Sequence, residues 1–283
     1  MVQGTVNWKN NLSEPISNVE LILSLSGSPL DKSSIRASTG FYQSSDTSII
    51  WTKDQNNALA TVQPGESGNL AFSFETLEPG AAGVLITNPI INFTLSVRGT
   101  RQGSGSSPET VTGAATAQAQ LASQVTLETQ TLHYSGGFQN IGPMPPQPDV
   151  ATSYTIVWKV KNSANTVANA TVSTTLPPYV QFMSSPGGSG ITYDQGSRTL
   201  RWSIGDIKPG AGYTVASPQT AFQVTIVPST SQVGTAPQLT TPPTLVGQDR
   251  FTQTEVRDTG EAATTRLVGE SGTGSNGVIA PKQ

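Results

Sequence analysis

The side chains that could carry chemistry are few in this sequence. Its one histidine, His133, would have to serve any Ser-His-Asp triad, yet no G-x-S-x-G nucleophile elbow occurs in a strand-turn-helix context. Several aspartates fall in turn-like stretches, among them Asp46, Asp54, Asp194 and Asp206, where short polar side chains stabilise turns. Cysteine is absent, and no D-x-[DN]-x-[DN]-G calcium loop occurs. We therefore predict no catalytic residue, no cofactor and no metal site, with calcium held between two domains as an open alternative.

Two lysines that directly follow tryptophans, Lys9 and Lys159, suggest a second chemistry. A strand lysine forms an isopeptide bond with asparagine only if its amine is desolvated and neutral. Alternate residues of a strand point to opposite faces, so in Tyr154–Val160 (YTIVWKV) the lysine lies opposite the tryptophan. We therefore predict solvated lysines. An intact mass lower by one ammonia would contradict this prediction.

The tryptophans allow two interpretations, an aromatic platform for sugars or a buried core. Aliphatic residues flank Trp158 at alternate positions, which places it on the inward face of its strand. Burying one tryptophan contributes on the order of 5 kcal/mol as an upper estimate. We predict that the tryptophans form the structural core: Trp8, Trp51, Trp158 and Trp202. The loop aromatics Phe138 (GGFQNIG) and Tyr179 (LPPYVQF) are then the candidates for contact with a ligand.

Short strands must position these side chains. The 28 glycines and 20 prolines interrupt nearly every segment and leave little room for helices. Alternating apolar residues, as in Val19–Leu25, Ile156–Val160 and Phe222–Ile226, predict strands with one buried face. Asp194–Ser197 (DQGS) separates two such runs and predicts a hairpin, and we predict a strand for Ala114–Leu121. This density of strands and turns is typical of β-sandwiches.

An internal repeat includes all four tryptophans. Trp8 precedes Trp51 by 43 residues, and Trp158 precedes Trp202 by 44. In both copies a lysine follows the first tryptophan, a tyrosine lies nine residues before the second, and a Pro-Gly pair comes after it. So many matches in the same order predict a duplicated unit.

The two copies differ at their beginnings. Gln124–His133 (QVTLETQTLH) is typical of an opening strand ahead of Trp158, whereas only seven residues precede Trp8. A sandwich without that edge strand leaves backbone groups unpaired and apolar side chains uncovered. We therefore expect this chain to begin inside a domain. The predicted organisation is an N-terminally incomplete sandwich at 1–122, a second sandwich at 123–268, and a disordered tail or linker at 269–283.

Residues 150–228 resemble the DUF11 repeat domains of bacterial and archaeal cell-surface proteins. Trp202–Gly210 (WSIGDIKPG) fits W-x-I-G-x-I-x-P-G, the most specific part of the resemblance, and WKVKNS, NATV and LPPYVQF also match. Residues 3–121 are similar only as a degenerate copy, because the I-G-x-I spacing is missing after Trp51. The resemblance implies tandem immunoglobulin-like β-sandwiches that act as stalk or spacer modules. It carries no functional residues.

The composition of the chain limits the classes of partner that it could bind. Charged residues make up 12% and the net charge is −3, so a basic nucleic-acid footprint and a polybasic membrane patch are absent. The sequence shows no apolar run of about 18 residues and no recognisable signal peptide. We expect an all-β, non-catalytic structural, spacer or interaction module of a larger cell-surface or secreted protein, whose partners are other repeats, surface proteins or glycans. The alternatives are an adhesin or carbohydrate-binding module that uses loop aromatics, and an accessory region of an enzyme encoded beyond this chain.

Overall fold

The chain folds into two compact β units. The computed structural model describes residues 1–77, 85–102, 107–268, 270 and 277–282. The units comprise Met1–Ala81 with Asn88–Leu121, and Ala82–Thr87 with Ala122–Gln283. Regular structure in the described ranges is β-strand apart from short 3-10 turns, and no helix there has the length and apolarity to cross a bilayer. The predicted all-β fold with two sandwiches is confirmed.

The described residues of the first unit form nine antiparallel strands in two sheets. One sheet has the order β1-β7-β3, and the other has the order β4-β5-β2-β8-β9, with β6 also paired to β2. The strands are β1 (Val2–Lys9), β2 (Ile16–Ser26), β3 (Leu30–Ala37), β4 (Phe41–Gln43), β5 (Ser48–Trp51), β6 (Thr61–Val62), β7 (Ser67–Thr76), β8 (Ile90–Gln102) and β9 (Pro108–Gln120). The predicted strand at Ala114–Leu121 forms most of the second half of β9.

The second unit repeats most of this arrangement, also with nine described strands, but it has an added edge strand in the first sheet and no counterpart of β6. Its sheets have the orders β10-β11-β16-β13 and β14-β15-β12-β17-β18. The strands are β10 (Val125–Leu132), β11 (Thr152–Asn162), β12 (Val167–Thr175), β13 (Val180–Ser184), β14 (Ile191–Asp194), β15 (Thr199–Ile207), β16 (Gln219–Ile226), β17 (Thr244–Asp249) and β18 (Glu255–Thr259). Strands β11-β16-β13 correspond to β1-β7-β3. The edge strand β10 has no counterpart among the described strands of the first unit.

Both cores consist of the inward faces that the alternation predicts. In β2 the inward residues Leu21, Leu23 and Leu25 are buried, and in β11 Ile156–Val160 buries its inward side chains completely. The ring of Trp158 packs edge-to-face on Phe222 with 4.9 Å between centroids. Since a buried apolar side chain contributes about 1.5–3 kcal/mol, these strands supply much of the driving force for folding.

The two units also share an irregularity that hydrophobic patterning does not reveal. Asn18 and Asn169 adopt left-handed backbone conformations, with φ of 51° and 52°. Each lies at a β-bulge, in β2 and β12 respectively, where the pairing register shifts. Asparagine tolerates this conformation better than most residues and is therefore suited to a bulge position.

Buried asparagines align β1 of the first unit with β11 of the second. Asn10 donates from Nδ2 to the carbonyl of Val62 at 3.0 Å, and Asn162 donates likewise to Ile207 at 3.4 Å. The backbone N–H groups of these asparagines also donate to the segments after the two Pro-Gly pairs, at Glu66 and Ala211. Asn10 and Asn162 are therefore equivalent.

This equivalence moves the alignment based on tryptophans by two residues. Counting back from the asparagines, Trp158 corresponds to Val6, and Trp8 corresponds to Val160. A shift of two residues keeps every side chain on its face of the sheet. The tryptophans that open the two copies therefore occupy different positions in their cores.

Residues 277–282, within the segment predicted as a disordered tail or linker at 269–283, include two that make tertiary contacts. Ile279 is 1% exposed, and its N–H donates to the carbonyl of Thr235 at 2.9 Å. The N–H of Ala280 donates to Pro146 at 2.9 Å. Ile279 and Ala280 thus anchor a segment for which the Gly/Ser-rich composition predicted a tail. The rest of that prediction, apart from Glu270, lies outside the described residues.

Candidate interaction surfaces

One end of the second unit carries its longest connections. Three strand ends lie side by side in one sheet, because Ile226 pairs with both Thr152 and Val180. The connections that begin or end at these residues therefore lie at the same end of the unit. We call this the loop end, formed by residues 133–151, 176–179 and 227–243.

The loop end holds both aromatic residues that the sequence nominates. Tyr179 is 41% exposed, and Phe138 is half-buried in the connection between β10 and β11. They belong to separate connections. Sequence reasoning missed Tyr134 and Ile141, which are 64% and 58% exposed in the same connection as Phe138. Both residues follow directly on or lie near a strand-like segment, and this position in a loop could have identified them as exposed.

A carboxylate organises part of the loop end. Glu270 accepts hydrogen bonds from the backbone N–H groups of His133, Tyr134 and Ser135, at 3.0, 2.9 and 2.7 Å. The Ser135 hydroxyl donates to it at 2.7 Å. Burial raises the pKa of the Glu270 carboxyl, but these hydrogen bonds outweigh that effect and hold its pKa below the usual value. Glu270 thus fastens the chain near its C-terminus to the end of β10.

His133, the one candidate for a catalytic base, has structural contacts. Its side chain is buried, and Nδ1 donates to the carbonyl of Ser153 at 2.9 Å. Its ring packs edge-on against Tyr134 and Tyr154. The described residues also contain no group of three or more His, Asp or Glu side chains that could hold a metal ion.

The opposite end of the second unit is organised by a buried carboxylate. Asp249 accepts from the N–H of Ser123 at 2.7 Å and from Nδ2 of Asn165 at 2.8 Å on one oxygen. Its other oxygen accepts from the N–H groups of Phe251 and Thr252, at 2.8 and 2.9 Å. Burial raises the pKa of Asp249, but the hydrogen bonds reverse that effect, and the pKa lies below its usual value. Sequence reasoning missed this network because its members are up to 126 residues apart.

The lysines lie on outward faces. Lys9 is exposed and Lys159 is half-buried. Lys161, next to Lys159 on the same face of β11, forms an ion pair with Glu128 of β10. Lys9 forms no ion pair in the part of the chain that the structure describes.

Three of the four tryptophans are enclosed, and one is not. Trp51 and Trp158 are fully buried, and Trp202 is 4% exposed. Trp8 is half-buried and packs against the margin of the first core. Its ring covers Gly68 so closely that a Cβ at that position would lie 2.5 Å from the indole.

Trp8 borders an apolar groove in the first unit. Two adjoining cavities of about 530 and 390 Å³ follow β1, and they share Asn7, Leu95 and Ala115 in their linings. The groove lies between the free edge of β1 and the inward faces of β8 and β9. Its apolar lining includes Val6, Trp8, Phe93, Val97, Val111 and Ala117. The residues of β9 that line it are mostly exposed.

Comparison with known proteins gives distant structural likenesses only. No family model matches the chain, and no curated protein matches it. The solved structure of the major pilin SpaD from Corynebacterium diphtheriae is 13% identical with a TM-score of 0.33, over 89% of this chain and 59% of that one. The major pilin subunit BcpA of Bacillus cereus is 9% identical with a TM-score of 0.32, over 93% and 69%. A structure named BspA_C_mut is 11% identical with a TM-score of 0.30, over 92% and 91%. Such likenesses are too distant to assign a function, and the DUF11 resemblance of residues 150–228 stays a prediction.

Proposed function

We propose that this chain is a non-catalytic structural module of a larger cell-surface or secreted protein, in which two β-sandwiches act as spacers. The observation that carries the proposal is the geometry of two carboxylates, Asp249 and Glu270, which accept hydrogen bonds from backbone N–H groups of distant segments and so serve the fold. A catalytic acid at neutral pH requires a raised pKa. Every described carboxylate whose pKa departs from the usual value is shifted downward: Asp31, Asp194, Asp249 and Glu270.

The hydrogen bonds of these carboxylates explain the downward shifts. Asp31 accepts hydrogen bonds from the hydroxyl and the backbone N–H of Ser33. Asp194 accepts hydrogen bonds from the hydroxyl of Ser197 and from the backbone N–H groups of Gly196 and Ser197. Asp31 and Asp194 therefore cap turns, while Asp249 and Glu270 fasten distant segments. Acceptor-only carboxylates stabilise loops but cannot deliver a proton to a substrate at neutral pH.

Single-molecule stretching of the chain, held at its two ends, tests the spacer role. A spacer keeps its length under load until a unit unfolds cooperatively. Unfolding of the second unit is expected to release roughly 50 nm of chain in one step, from the extended length per residue. A chain that lengthens gradually without such a step would contradict the proposal.

A second candidate function, binding of a glycan or protein at the loop end, is favoured by the exposed side chains of Tyr134, Ile141 and Tyr179 there. The variants Phe138→Ala and Tyr179→Ala should abolish binding on a glycan array. Tyr213→Ala is the matched control, because Tyr213 is also 41% exposed but lies beyond the loop end, between β15 and β16. Absence of signal from the unmodified chain on any glycan would exclude glycan binding.

A further inference from the structure

In the second unit, β10 and the chain that follows β18 lie next to each other and run in the same direction. Leu127, early in β10, donates its N–H to a carboxylate oxygen of Asp258 at 2.7 Å. Further along β10, the carbonyl of Thr131 accepts a hydrogen bond from the N–H of Val268 at 2.9 Å. Residue numbers rise together along both segments, which therefore run parallel.

The contacts between these two segments continue where β10 ends. Glu270 accepts hydrogen bonds from the N–H groups of His133, Tyr134 and Ser135 and from the Ser135 hydroxyl, all within 3.0 Å. Hydrogen bonds to a charged acceptor are roughly twice as strong as bonds between neutral groups. Carboxylates thus join the two segments near both of their ends, Asp258 near the start of β10 and Glu270 just beyond its end.

Tension along the chain enters and leaves this pair of segments at opposite ends. It enters β10 through Ser123, at the end of the unit that Asp249 organises, and it leaves beyond Glu270, at the loop end. The eight residues of β10 span roughly 26 Å between these two points, at about 3.3 Å per residue. The two segments are therefore pulled lengthwise past each other, and they are not peeled apart from one end.

Pulling in this direction acts on many hydrogen bonds at once. The bonds of an antiparallel pair lie perpendicular to the strands, and β10 pairs with β11 over eight residue pairs. Lengthwise displacement of β10 must break this ladder together with the contacts to Asp258, Val268 and Glu270. Peeling breaks one pair after another, so that only one pair resists the force at any moment.

We propose that β10, residues 258–268 and Glu270 form a mechanical clamp, which tension along the chain loads in shear. The proposal rests on the spacer role, since a clamp of this kind serves a module that is held under tension. The clamp sets the force at which the second unit unfolds, because the unit cannot lengthen until β10 slides past the other segment. Forced unfolding is governed by the unfolding rate and not by the equilibrium stability, so the contacts that must break first decide the outcome.

The test compares two directions of pulling on single molecules of the full chain. The sequence contains no cysteine, so Gln124→Cys and a handle fused after Gln283 apply tension along the clamp. Gln124→Cys combined with Arg257→Cys applies tension at two neighbouring points near the start of β10, and it opens the clamp from one end. Both of these side chains are exposed. At the same force, unfolding along the clamp should be slower than unfolding from one end by about tenfold or more.

Single substitutions provide a second comparison. Glu270→Ala should raise the unfolding rate along the clamp by about tenfold or more, and it should leave the rate of opening from one end nearly unchanged, because peeling reaches Glu270 last. Asp258→Ala is an independent variant and should speed unfolding in both directions, because Leu127 and Asp258 lie where peeling begins. Asp149→Asn is the matched control, since Asp149 forms a surface ion pair with Lys282 outside the clamp, and both rates should stay unchanged.

The outcomes separate the clamp from the spacer role. A cooperative step whose rate is unchanged in Glu270→Ala, or equal unfolding rates in the two directions, overturns the clamp and leaves the spacer role intact. Gradual lengthening of the unmodified chain contradicts the spacer role and the clamp with it. Protection of the β11 amides from hydrogen exchange, measured before pulling, shows that each variant is folded.

Discussion

The buried carboxylate of Asp249 should contribute more to the stability of the second unit than any surface carboxylate. The informative perturbation is Asp249→Asn, which keeps the shape of the side chain but turns one acceptor oxygen into a donor. Ser123 and Asn165 share one oxygen, and Phe251 and Thr252 share the other. Whichever oxygen is replaced, two N–H groups lose their acceptor: the buried pair at Ser123 and Asn165, or the partly buried pair at Phe251 and Thr252.

The expected loss follows from those two donors. Each buried or partly buried polar group without a partner costs about 1–3 kcal/mol, and the two remaining hydrogen bonds become weaker when the charge is lost. We expect Asp249→Asn to lower the free energy of unfolding of the second unit by about 3–5 kcal/mol. Asp206→Asn is the matched control, because Asp206 forms a surface ion pair with Arg250, and such pairs contribute about 0–1 kcal/mol.

The dependence on pH provides a second measurement. The folded-state pKa of Asp249 lies below its usual value of 3.8. The stabilisation should therefore be present in full above pH 3.8, and it should be lost as the pH falls through the folded-state pKa. The stability gap between the original chain and Asp249→Asn should narrow over that range.

Hydrogen exchange of the β11 amides in increasing urea measures unfolding of the second unit separately from the first. The reasoning is refuted if Asp249→Asn loses no more stability than Asp206→Asn. It is also refuted if the difference between Asp249→Asn and the original chain stays constant from neutral pH down to pH 2.

Three further predictions concern other contacts. Trp158→Ala should cost about 3–5 kcal/mol in urea unfolding, and Trp8→Ala should cost clearly less, because only the first of these side chains is fully buried. Asn169→Val should destabilise the second unit by about 1–3 kcal/mol because the bulge requires a positive φ, whereas Asn169→Gly should be close to neutral in the same assay. Glu270→Gln should speed hydrogen exchange at residues 133–135, since their N–H groups lose a charged acceptor; unchanged exchange would contradict the role of Glu270.

The sequence predicts the features of this fold that depend on alternation. A strand with one buried face has apolar residues at every second position, so the sequence alone predicts β2, β11 and β16. The same pattern identifies β10 as an opening strand. The groove beside β1 follows from that comparison between copies, although its depth and its lining by β9 required coordinates.

Contacts between distant segments were outside the reach of sequence reasoning. The carboxylates of Asp249 and Glu270 bind backbone groups more than a hundred residues away, and no local pattern marks such an acceptor. The burial of Ile279 likewise depends on residues of the loop end, because its neighbours in sequence are glycine, serine and other short side chains.

The displacement between Trp8 and Trp158 bears on how the strands of two sandwiches can be aligned. A strand that slides by one residue exposes its whole apolar face, while a slide by two residues preserves that face. Even-numbered displacements therefore keep the buried face of a strand, whereas odd-numbered differences in spacing require a compensating change in a connection. The two units show one such odd-numbered difference. The buried asparagine and the bulge asparagine are eight residues apart in the first unit (Asn10 and Asn18) but seven apart in the second (Asn162 and Asn169). Alignments of such repeats are consequently more reliable when anchored on buried polar residues than on conspicuous aromatics.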